Sequence, residues 1–181
     1  MRDAGSSRKR LRAGGVLLLV VAAVGQLVAG CSSSPAAAPT ASTPGAGPAE
    51  ALDTYTVVRD DVLAALSSLD PATPWESSGT AGLSAEGSTC TLVLPAAGSA
   101  QYLYVEGDDF AAVRAALDPV LAQHGFAALG QTVFADGGAV EVSSTDDAGA
   151  ELVVSSEQTS VVRLNAPVLS ETCDDAELGR S

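Results

Sequence analysis

Four short stretches near the end of the chain constrain its fold most: "QTVFAD", "AVEVSST", "AELVVSS" and "SVVRLNA", which lie between residues 131 and 166. Each is rich in β-branched side chains and reads as a strand. Only "DGG", "DDAG" and "EQT" separate them, and such turns are too short for the crossover that parallel strands need. The four therefore form an antiparallel meander. Two earlier stretches, "TCTLVLP" and "AQYLYVEG", also read as strands, the second with Tyr102 and Tyr104 on one face and Leu103 and Val105 on the other. Between the strands 108–125 reads as a helix, and 50–70 as another before them. Leu52, Tyr55, Val58, Val62, Leu66 and Leu69 form the apolar stripe of the first, and Asp70-Pro71 ends it. In the second, Asp108 is the expected N-cap, Pro119 the expected kink or restart with Asp118 as a new cap, and His124-Gly125 the stop. Segment 71–88 reads as a long polar loop holding Trp75. The expectation is an α+β domain over 49–175, an antiparallel sheet of about five to six strands with two helices packed on one face, followed by a C-terminal tail, 176–181.

The N-terminus has a different grammar. Arg2, Arg8, Lys9, Arg10 and Arg12 precede an apolar run that is densest from Val16 to Val24. Basic residues followed by a short apolar core are the pattern of a secretory signal. The dense part is about half of the ~20 residues a spanning helix needs. The run ends in Val28-Ala29-Gly30-Cys31. This stretch resembles the lipobox of bacterial lipoproteins, and the alanine-rich, lysine-poor composition resembles small actinobacterial cell-envelope lipoproteins of unknown function. The resemblance implies that 1–30 is a signal peptide, and that Cys31 becomes the first mature residue and carries a diacylglyceryl group with fatty acyl chains such as palmitate. It also implies that the remainder faces the outside of the cytoplasmic membrane. Two acyl chains anchor stably where one is marginal, since each buried CH₂ contributes about 0.8 kcal/mol. Residues 31–48, the anchored cysteine with its Ser/Pro/Ala-rich tract, then read as a linker. It spans about 60 Å fully extended and averages about 20–25 Å when flexible.

Charge narrows the partners. The chain has nine Lys+Arg and twenty-two Asp+Glu; five of the basic residues and Asp3 precede Cys31, which leaves four basic and twenty-one acidic residues beyond it. That balance opposes nucleic acid, whose phosphates require cations, and it opposes lying flat on anionic lipid. With Cys31 assigned to lipid, Cys90 and Cys173 remain as a pair in an oxidising compartment, where a disulfide is expected.

Little in the sequence speaks for catalysis. His124 is the single histidine, no G-x-S-x-G elbow occurs, and no lysine follows Cys31. A Ser-His-Asp site would therefore rest on His124 alone. The paired acids lack the ligand spacing of a calcium loop, and two cysteines with one histidine do not furnish four zinc ligands. No metal or cofactor is expected. Trp75 either caps the core or makes an exposed contact, and Tyr102 and Tyr104 share a strand face that is either open for binding or buried. The reading is a non-enzymatic, membrane-anchored module that binds an envelope protein or a small ligand through Trp75, Tyr102 and Tyr104. A hydrolase and a carrier of a small apolar ligand are the alternatives.

Overall fold

The computed structural model describes residues 45–180; the expected signal peptide, Cys31 and most of the linker lie outside the described residues. In chain order the elements are α1 (Pro48–Ser67), β1 (Trp75–Ser78), β2 (Gly82–Glu86), β3 (Thr89–Val93), β4 (Ala96–Ser99), α2 (Ala111–Gln123), β5 (Val133–Phe134), β6 (Val140–Thr145), β7 (Glu151–Ser156), β8 (Ser160–Val168) and a 3₁₀ turn (Asp175–Leu178). The fold is α+β, with every strand pairing antiparallel.

Pro48 begins α1, where its missing N–H costs no hydrogen bond and its fixed φ suits the first turn. Ala51, Tyr55, Val58, Val62 and Leu66 line its buried face. Leu69, expected on the same stripe, falls beyond the helix end and is exposed. The Ser67 and Ser68 hydroxyls donate to the carbonyls of Leu63 and Ala65 in the last turn, and the helix ends at Ser67, three residues before the expected Asp70.

The sheet runs β1-β4-β8-β7-β6-β5, with β3 also on β8 and β2 on β3. One edge of β8 pairs with β7. The other takes β4 at Ser160–Val162 and β3 at Asn165–Val168. β3 and β4 are thus one strand course, interrupted at Leu94-Pro95 because proline has no N–H to give the ladder. β1 and β2 form a second interrupted course outside them, so eight short strands occupy about six positions.

Three local expectations are corrected. The segment read as a polar loop, 71–88, contains β1 and β2 and places Trp75 at the start of β1. The stretch "AQYLYVEG" is not a strand: the sheet's course ends at Ser99 and the chain runs on irregularly. Finally, Asp108 does not cap α2 through its side chain; the N-cap is Phe110, and Asp109 and Phe110 sit at φ 48° and 57°. Left-handed geometry is costly for a bulky residue. Here Phe110 is 1% exposed, so burial of its ring offsets that cost. Pro119 lies within a continuous α2, and Asp118 accepts the Leu129 N–H at 3.0 Å instead of starting a new helix. α2 stops at His124-Gly125 as expected, with Gly125 at φ 80°. The His124 ring reaches across to α1, with Nε2 2.8 Å from Asp61 Oδ2.

Both helices feed one buried cluster. Val62, Leu66, Leu117 and Leu121 pack with Leu92, Leu152, Val154, Val162 and Leu164 from the sheet. Cys90 on β3 is bonded to Cys173, eighty-three residues on. Beyond the bond the chain folds back: Leu178 is buried, Asp175 accepts the Leu83 N–H, and Arg180 donates to the Ala81 carbonyl. Glu177 accepts from the Thr172 and Ser170 hydroxyls and from the Asp174 N–H.

Two outcomes follow. A closed loop of this length removes about 4 kcal/mol of unfolded-state entropy, so Cys90→Ala/Cys173→Ala should lose about that much in urea unfolding, and dithiothreitol should do the same to the parent. The hydroxyls of Thr172 and Ser170 and the Asp174 N–H hold Glu177 below its ordinary carboxylate pKa. Its contribution is therefore complete above the unfolded value and is lost as pH falls through the lower folded one. Acid titration followed by amide exchange in 170–178 should show the turn loosening below the usual carboxylate range, and Glu177→Gln should abolish that step.

Candidate functional site

A single register row crosses the sheet at the β8 end that begins with Ser160. It reads Trp75, Ser99, Ser160, Ser156, Val140, Phe134, from one edge strand to the other. Aromatic rings stand at its two ends and three buried serines lie within it. The serines take over backbone partners because the strand expected at 100–107 is absent. Ser156 Oγ accepts the N–H groups of Leu103 (3.1 Å) and Tyr104 (3.3 Å), and Ser160 Oγ donates to the Gln101 carbonyl at 2.7 Å. Ser99 Oγ accepts the Gln101 N–H at 3.1 Å. Hydroxyls thus supply the backbone partners that a neighbouring strand would otherwise give, which lets an irregular segment lie over the sheet.

That segment separates the three aromatic residues singled out from the sequence. Trp75 is half-buried and packs against the core. Its indole N–H and the Gln101 side-chain carbonyl are buried without a hydrogen bond. Tyr104 turns inward, 5.3 Å from the Phe110 ring and 6.1 Å from the Phe134 ring. Tyr102 is 56% exposed. The two tyrosines therefore do not share a strand face. Phe134, 69% exposed, joins them at this end of the sheet. It was hidden because the "QTVFAD" pattern gives only a two-residue edge strand, and no local signal says that its ring meets Tyr104.

Beside Trp75 lies a groove of about 470 Å³, lined by Thr73, Glu76, Ser77, Ser78, Ser99 and Thr159 among others. Five of the nine lining residues carry a hydroxyl, Glu76 is the one charged group, no Lys or Arg borders it, and the exposed lining is more apolar than polar. Such a lining offers hydrogen bonds to a neutral or cationic polar group and repels anions.

No family model matches the chain, and no curated protein matches it. Among solved structures it is similar to a DUF4853 family protein from Actinomyces odontolyticus, at 11% identity and TM-score 0.48 over 72% of this chain and 73% of that one. At that level the likeness says nothing about what either chain binds.

The other chemical candidates are dispersed. His124 faces Asp61 across the helix pair, on elements that do not line the groove. Among the described residues no three His, Cys, Asp or Glu side chains gather to hold a metal ion, and no helix is long and apolar enough to cross a membrane. Arg114 organises structure: it donates to the carbonyls of Asp109, Leu129 and Gly130 and to Thr132. Thr132 in turn donates to Asp109.

Ser156→Ala should leave the Leu103 and Tyr104 N–H groups without their acceptor, at a cost of about 1–3 kcal/mol. Hydrogen exchange should accelerate at those two amides more than at the Leu117 amide, which tracks global unfolding.

Proposed function

We propose that this chain is a membrane-anchored extracytoplasmic lipoprotein whose domain is a non-enzymatic binding module of the cell envelope. The observation that carries the anchor is cysteine accounting: Cys90 and Cys173 are spent on each other, and the cysteine left over, Cys31, is the one that follows Val28-Ala29-Gly30 after a basic and apolar leader.

The placement of the groove supports the binding role. The chain arriving from the linker meets the domain at Ala46, whose carbonyl accepts the Leu169 N–H just beyond the far end of β8. The groove and the serine row lie at the Ser160 end of the same nine-residue strand, about 30 Å away. The groove and the aromatic residues thus lie at the end of β8 opposite the point where the chain enters the domain.

Intact mass spectrometry of the protein isolated from its own membrane tests the reading. The expected mass begins at Cys31, includes the diacylglyceryl group and is two hydrogens below the dithiol form. Cys31→Ser should lose the lipid mass and leave the membrane fraction after carbonate washing or retain residues 1–30. A wild-type mass that keeps 1–30 without lipid would overturn the anchor.

A further inference from the structure

We infer that the aromatic end of the sheet, at Tyr102, Tyr104 and Phe134, docks a basic protein segment carrying apolar side chains; this deepens the binding role proposed above and rests on it. Three of the eight large apolar residues that stand exposed among the described residues belong to two short stretches here, Tyr102 at 56%, Val105 at 55% and Phe134 at 69%; Val133, beside Phe134 on the edge strand, faces the other side of the sheet with Glu141 and Val153. Exposed apolar side chains gathered at one end of a fold mark contact surfaces more often than scattered single residues do. Two of the rings, Tyr104 and Phe134, are also held in place. Phe134 stands edge-on to Tyr104, and Tyr104 leans on the buried Phe110. Tyr104 is further fixed through its backbone N–H to Ser156. Aromatic side chains already held in position lose little entropy on binding.

Charge selects the occupant. Glu106 and Asp108 follow Val105 directly, Asp136 lies two residues past Phe134, and Glu157 tips the hairpin that carries Ser156. All four are exposed, and none of their carboxylates makes a hydrogen bond or ion pair. The cation on the adjoining helix, Arg114, is taken up by Asp109, two carbonyls and Thr132. The other arginines among the described residues are also engaged: Arg59 on Asp60, Arg163 on Glu141 and Arg180 on the Ala81 carbonyl. An apolar centre within an uncompensated acidic rim is complementary to arginine or lysine interleaved with leucine-like side chains. The rim steers such a partner, and guanidinium groups stack on exposed rings. The same rim repels a second copy of this chain and an anionic membrane.

Fluorescence anisotropy tests this with the full chain in phosphatidylcholine nanodiscs, blanked against empty discs. The probe is a labelled short peptide alternating Arg and Leu, with Arg–Gly and Glu–Leu peptides as controls. The Arg–Leu peptide should bind at least about tenfold more tightly than either control, and more weakly as ionic strength rises. Phe134→Ser and Tyr102→Ser should each weaken it about tenfold with melting temperature retained, since both rings are largely exposed. Glu106→Gln/Asp108→Asn/Asp136→Asn should flatten the salt dependence, and Glu171→Gln, near the disulfide, should change nothing. Equal binding of the Arg–Gly peptide, undiminished binding to the two aromatic variants, or no binding by any peptide overturns the inference. Anisotropy reports peptide binding whether the chain enters the discs or stays in solution, so a failed anchor and a failed docking surface give different results.

Discussion

Along β8 the backbone hydrogen bonds of nine residues are divided among three neighbours, β7 on one edge and β4 and β3 in tandem on the other. Everything else in the domain is placed by that division. Because Pro95 cannot donate to a ladder, the outer course breaks there, and β3 and β4 address different thirds of β8. β3 carries Cys90 to one end, where the disulfide, the 3₁₀ turn and the entering chain gather. β4 ends at Ser99 at the other, where the groove and the aromatic residues lie. The central strand therefore sets the separation between the end that receives the linker and the end available for contact.

Polar side chains do structural work at that second end that backbone does elsewhere. Ser99, Ser156 and Ser160 are nearly or fully buried, and each is spent on the segment after β4. A buried hydroxyl is costly when unpaired but specific when each bond is made. This arrangement permits a loop to be both irregular and fixed, and it is what brings Tyr104 onto Phe110. The Asp109-Phe110 pair of left-handed residues serves the same end: it turns the chain so that the Phe110 ring enters the core before α2 begins.

The electrostatics are lopsided, and the few cations are used locally. Arg114 bridges the start of α2 to the approach to β5, and Arg163 spans two strands to Glu141. Among the described residues no arginine is left to neutralise the acids around the aromatic end. Surface ion pairs contribute little to stability, so the consequence of this distribution lies mainly in the field presented to a partner.

The sequence alone determined the secondary elements whose physics is local. α1, the core of α2, its stop at Gly125 and the last three strands were legible because apolar spacing and turn residues repeat within a few positions. The pair Cys90 and Cys173 was legible for a different reason, the even count left once Cys31 is assigned to lipid. β1 and β2 were not: they are polar edge elements, stabilised by backbone pairing rather than by a buried face, so no periodicity marks them. The stretch 100–107 misled in the opposite sense. Its alternation is that of a strand, yet its hydrogen-bonding partners are the Ser156 and Ser160 side chains, more than fifty positions away. Trp75 and Tyr102 could be named as contact candidates from residue type. Only the tertiary structure decided that Trp75 flanks a hydroxyl-lined groove, that Tyr104 turns inward, and that Phe134 completes the aromatic end. Those facts depend on strand order and register, and pairings between distant segments leave no trace in local sequence.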